Sequence, residues 1–171
     1  MRKTLIAILM ALALAVVPAA GVFAATTADV TVTATPAFIS ISVDITDHDF
    51  GTVVESATPS TTTSYFTITN SCTVLTDNTV GVTTATWSGG VTWTHSDTCT
   101  PAADTAGLKA NKGGTWDTGD VIVKFNSPNI LADDQAITTN WSFGLKLYAP
   151  TSFSDGVEKE IIVRITATLA V

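Results

Sequence analysis

Three shortages narrow what this chain can be. Charge is scarce: 13% of its 171 residues are Asp, Glu, Lys or Arg, and only eight are basic against fifteen acidic, a net charge of −7. A chain so poor in cations repels phosphate backbones and anionic lipid heads, so neither nucleic acid nor a membrane surface is an expected partner. Histidine and cysteine are almost missing, with two residues of each. No second pair of Cys or His lies at ligand spacing, which argues against a metal site of the zinc type. Catalytic signatures are absent as well. There is no G-x-S-x-G, no H-E-x-x-H and no glycine loop between strand and helix to cradle a phosphate. The many serines have no His at a recognisable partner position. Neither enzymatic activity nor a cofactor is expected.

Helix-building runs of Glu, Lys, Leu and Gln are also lacking after residue 25. What is present begins with a leader. Arg2 and Lys3 form a positive start, and Leu5 to Val17 is an apolar run too short for a membrane span. Pro18 breaks it, and Val22-Phe23-Ala24 offers small residues before a cleavage point, so residues 1–24 read as a signal peptide. An uncleaved anchor helix is the alternative. Cleavage leaves 25–171, enough for one domain with a real core. Without Arg2 and Lys3, six basic side chains face fifteen acidic ones, a net charge of −9.

Threonine dominates the exported part, with Ser, Val, Ile and Ala behind it. Branching at Cβ restricts χ1 and suits a pleated surface. Period-two alternation recurs. Ile39, Ile41, Val43 and Ile45 share one face, Phe66 and Ile68 another, then Val80 and Val82, Trp141 to Leu147, and Ile161 to Leu169. Val121, Val123 and Phe125 alternate in DVIVKFN, and Val91 and Trp93 in VTWTHS. DITDHDFGTV reads as a turn into a short strand, Ser56 to Thr63 as a polar loop, and Thr98 to Asp120 as loop-rich, with GLKA a short strand inside it. About eight to ten short strands result, which predicts a single all-β antiparallel sandwich over 37–171. A closed barrel is the alternative.

The stretch FGTVVESATPSTTTSYFTITNS resembles the opening of immunoglobulin-like modules of the abnormal-spindle and choice-of-anchor type. Asp49-Phe50-Gly51 matches their DFG-like start, and Phe66 to Asn70 their F-x-x-x-N strand end. The likeness covers about 22 residues, and Ser71-Cys72 stands where a Gly often follows the Asn. It implies an Ig-like sandwich. Segments such as TWSGGVTWTHSDT and FGLKLYAPTSFSDGVEKEIIVRITA look similar to small secreted prokaryotic sandwich proteins. That adds fold and little function.

Several residues are candidates for chemistry. Cys72 and Cys99, an even pair in an exported chain, predict one disulfide. Asp44, Asp47 and Asp49 surround His48. Asp side chains capping backbone amides explain them best, with calcium as the functional alternative. His95 reads as a strand-end residue. Trp93 and Trp141 fit inward faces, whereas Trp116, in the polar loop NKGGTWDTGD, is the candidate for a ligand contact. Asn140-Trp141-Ser142 is an N-glycosylation sequon.

The opening stretch ATTADVTVTAT (25–35) is the remaining feature. It alternates Val30, Val32 and Ala34, carries only Asp29 as charge and ends before Pro36. Natural edge strands are usually blunted by Lys, Pro or inward charges. This one could be the first strand of its own sandwich. It could also be an assembly strand added to a neighbour's sheet, laid out like donor strands in pili and biofilm fibres. The latter predicts a homo-oligomer or filament. A monomeric module binding a glycan or a protein is the other function in view.

Overall fold

The computed structural model describes residues 30–171. The expected signal peptide and residues 25–29 lie outside them. The chain divides after Thr35. In the first unit, Val30 to Thr35 belong to no helix or strand. Alternation prepares a segment for a ladder, but a strand also needs a partner to bond with.

The second unit, Pro36–Val171, holds ten strands, and no helix occurs among the described residues. In chain order they are β1 (Ile41–Val43), β2 (Phe66–Asn70), β3 (Thr76–Val82), β4 (Thr86–Trp87), β5 (Trp93–His95), β6 (Thr105–Asn111), β7 (Val121–Ile122), β8 (Asn129–Gln135), β9 (Asn140–Tyr148) and β10 (Val163–Leu169). The all-β class expected from alternation is what forms. One sheet runs β1-β2-β9-β6-β5-β4, with β7 added to β6; the other runs β10-β3-β8. All pairings are antiparallel except β5 with β6, where Thr94 and His95 run parallel to Thr105 and Ala106.

Strand β9 organises the larger sheet, because WSFGLKLY can serve two neighbours at once. Trp141, Phe143, Leu145 and Leu147 all turn inward and are buried, as their spacing predicts. They meet Phe66 and Ile68 of β2, Leu108 of β6, Val80 and Val82 of β3, and Leu131 of β8 in one core shared by both sheets. Trp87 and Trp93 belong to the same core, Trp93 stacked on Phe153 at 5.2 Å. Val91, expected on the inner face beside Trp93, is exposed.

Three segments differ from the sequence expectation. The polar stretch before β2 is no free loop. Ala57, Pro59 and Thr61 lie beside the second half of β9, with Ala149 N–H donating to the Ala57 carbonyl (2.9 Å), Leu147 N–H to Pro59 (2.9 Å) and Thr61 N–H to Leu145 (2.9 Å). The ladder bonds through every second residue, and Pro59 takes part through its carbonyl alone, having no N–H to return to Leu147. The loop-rich span around GLKA contains the full seven-residue β6. Ala106 and Ala110 are completely buried there, and a Cβ on Gly107 would stand 2.8 Å from Cys99 Cα and Sγ. Small residues mark close packing at that place, not a turn. The short strand expected after Gly51 does not form; Phe50 and Val53 instead pack half-buried against the core.

The expected disulfide is also absent, and both cysteines are free. Thr69, just before Cys72, pairs with Asn140, whereas Gly107, which packs on Cys99, pairs with Tyr148. The two thiols therefore sit toward opposite ends of β9. Eight steps along a strand span roughly 26 Å, while a disulfide needs Cα atoms within about 7 Å. Cys72 Sγ instead accepts from Ser40 N–H (3.2 Å), linking β2 to the chain before β1. Burial pushes the Cys99 thiol up to about 11, the Asp120 charge adding to the rise. A thiol held protonated is a poor nucleophile. Thiol titration of the native protein near pH 8 should give little reaction over minutes and two thiols per chain once denatured; no thiols after denaturation would restore the disulfide.

Candidate functional site

The Asp-rich turn is occupied by its own backbone. Asp44 Oδ1 accepts from Thr67 N–H (2.7 Å) and Ile45 N–H (2.8 Å), and the Thr67 amide first of all holds its carboxyl below the ordinary carboxylate value. Asp49 Oδ1 accepts from Gly51 N–H at 2.7 Å. His48 packs edge-on against Phe50 and Tyr65, both at 4.7 Å. These groups make a turn by capping amides, and two of the three carboxylates are engaged before any cation arrives.

Trp116 is likewise tied to its own chain. Its indole N–H donates to the Thr61 carbonyl (3.0 Å), and the Lys146 ammonium lies 5.8 Å over the ring. Lys146 is held there by Asp117 at 3.0 Å. The surrounding loop is gathered by the buried amide of Asn111. His95 ends β5 as expected, but buried, its Nε2–H donating to the Val123 carbonyl at 2.8 Å. Asn140 of the sequon is exposed at the start of β9.

A cluster missed in the sequence is Asp77, Asp133 and Asp134, with carboxylate oxygens within 4.8 Å of one another. Asp134 N–H donates to Asp77 Oδ1 at 3.0 Å. A shared hydrogen bond with Asp77 and its negative charge push the Asp133 carboxyl up. Among the described residues this is the group whose spacing suits a hard cation. It came from residues 57 positions apart that only the β3–β8 pairing brings together.

The feature of largest extent is the sheet margin. Five strands have a partner on one side only, and they differ in how they are protected. The two-residue β7 leads within two residues to Lys124, whose carbonyl accepts from Val82 N–H of β3 at 3.0 Å. At the end of β4, two residues long, Ser88 exchanges backbone bonds with Glu160. Strand β1 is three residues long and runs into Asp44. Strand β8 carries Asp133 and Asp134, two register shifts against β3, and a left-handed φ of 46° at Asp134. Bulges and charges of this kind deter edge pairing. Strand β10 has none of these. Its seven residues pair with β3 in unbroken register, and Arg164 is its one charge. Thr83 N–H bonds to the Ile162 carbonyl and Ala170 N–H to Leu75, which fixes the even-numbered residues as those facing β3. In an antiparallel ladder the alternate residues, Val163, Ile165, Ala167 and Leu169, therefore direct N–H and C=O outward. Their side chains lie on the core side. Val163 and Ile165 touch the core yet are only half-buried, and Leu169 is 52% exposed.

No protein-family model, no curated protein and no solved structure matches this chain.

Proposed function

We propose that the protein is a non-catalytic secreted structural subunit that assembles by β-strand addition into an extracellular filament, pilus or surface matrix. The observation that carries this reading is the state of the opening stretch. Val30 and Val32 are 82% and 86% exposed on backbone that belongs to no strand. Such a segment leaves apolar side chains wet, and among the described residues no backbone hydrogen bond holds it. Adding to a sheet would bury those side chains and pair its backbone groups. A head-to-tail contact of that kind is heterologous and need not close, so repetition builds a fibre. The acidic charge and the leader favour an exported partner of the same kind over nucleic acid or a membrane surface.

The test compares the chain from Ala25 with the chain from Ala37 by size-exclusion chromatography and negative-stain electron microscopy. The cut falls next to the unit boundary. Regular filaments from the first and monomers from the second are expected, a complete loss of assembly. Monodisperse monomers from the longer chain, at concentrations up to the millimolar range, would overturn the reading. A secreted module binding a glycan or protein would then take its place.

A further inference from the structure

We propose that the outward edge of β10 receives residues 29–34 of a second copy of this chain, running in the same direction as β10. This rests on the strand-addition reading and names its acceptor. Three observations converge. The first is exclusion: of the marginal strands, β10 is long, regular and unprotected, whereas β1 and β7 are short, β8 is bulged and acidic, and the end of β4 is already paired. The second is an incomplete face. Val163 and Ile165 contact the core but remain half-buried, as side chains do when the neighbouring strand that would cover them is missing. A donor with Val30, Val32 and Ala34 on one face supplies that cover, and its backbone meets the outward groups of Ile165, Ala167 and Leu169.

The third is charge, and it sets direction. Arg164 is the one charge of β10 and is exposed on the outer face. Asp29 is the one charge of the opening stretch, and once that stretch is extended as a strand, alternation places it on the face opposite Val30 and Val32. Placing Asp29 level with Arg164 in the same direction puts Val30 level with Ile165, Val32 with Ala167 and Ala34 with Leu169. Thr31 and Thr33 then stand level with Thr166 and Thr168. In the opposite direction the same charge pair carries the donor off the beginning of β10 after one residue. Opposite charges on adjacent strands favour the register in which they meet.

The experiment uses the chain from Ala25 in a Cys99→Ser background. Two proteins, one Thr33→Cys and one Thr168→Cys, are mixed, oxidised mildly and run on non-reducing gels, with Thr33→Cys plus Thr166→Cys as the alternative pair. Adjacent strands lie about 4.8 Å apart, and two residues of offset adds about 6.6 Å along the strand, beyond disulfide reach. A heterodimer from 33 with 168, at least tenfold over 33 with 166, is expected. In parallel, Ala167→Pro removes only an outward N–H and leaves the β3 ladder intact, a place where an edge tolerates proline. It should fold as a monomer and fail to assemble. Preferred cross-linking of 33 with 166 would overturn the register set by Asp29 and Arg164. Filaments with neither cross-link, or filaments from Ala167→Pro, would overturn the β10 assignment while strand addition stands. Absence of assembly in the unsubstituted chain would overturn both.

Discussion

Gly144→Ala is expected to destabilise the sandwich by about 3 kcal/mol or more, a fall in Tm of roughly 10 °C. Gly144 lies in the middle of β9, and a Cβ there would overlap the Thr62 carbonyl oxygen and approach Thr61 Oγ1 and Thr63 Cα at 2.8 Å each. Two of these atoms are backbone, and the segment that holds them has little room to retreat. Thr61 is fastened on both sides of its own peptide: its N–H donates to Leu145 O at 2.9 Å, and its Oγ1 accepts from Leu145 N–H at 3.0 Å. The chain then steps outward over residues 62–65 before rejoining β9 at Phe66, opposite Phe143. Without a side chain at 144, that step can pass close to the sheet. Urea unfolding of the chain from Ala37 measures the effect without interference from assembly. A change under 1 kcal/mol would mean that residues 61–63 shift freely, and that the bonds along β9 contribute less than their geometry suggests.

Asn111→Ala should cost about 2–3 kcal/mol and release the loop that follows. The amide is buried at the end of β6. Its two N–H bonds are shared among Thr115 O (3.1 Å), Thr118 O (3.0 Å) and Asp120 Oδ1 (2.6 Å), and its oxygen accepts from Gly114 N–H (2.9 Å). One side chain thus closes residues 112–120 on themselves and sets Trp116 where it reaches Thr61. Truncation removes these four part-buried bonds at once, and with them the one side chain that ties the otherwise exposed loop to β6. Asn111→Asp should do more harm than its size implies, because it sets a second carboxylate against Asp120. Denaturation gives the loss of stability; limited proteolysis should show new cleavage confined to 112–120. An intact loop in Asn111→Ala would show that the Trp116–Thr61 bond and the Lys146–Asp117 pair suffice to hold it.

Alternation revealed the strands that bury one face, because a period of two is the imprint of a half-buried ladder. Strands β2, β3, β9 and β10 were legible for that reason, including the inward set Trp141 to Leu147. Strand β6 was obscured by its own packing: Gly107 and the two alanines are small because Cys99 and the core lie against them, and small residues look like loop. Strand β8 was obscured by Asp133 and Asp134, the residues that blunt its edge. The Ala57–Thr61 segment pairs through alternate backbone groups and leaves no apolar stripe. Cysteine parity predicted a bond that position along β9 forbids, since parity carries no distance. For the candidate edge, the sequence supplied the donor, while the acceptor became visible only once the strand order showed which ladders end in solvent.

The place of β9 has a consequence for the order of events during folding. The strand that joins β2 to β6 spans residues 140–148, more than seventy positions after β2. Neither half of the larger sheet can close until most of the chain has left the ribosome. Contacts of such long sequence separation are slow to find, since the loop entropy is lost before any ladder returns it. The larger sheet is therefore completed late, once residues 140–148 are available to join β2 to β6, whereas the β1–β2 and β4–β5 pairs need only chain already made.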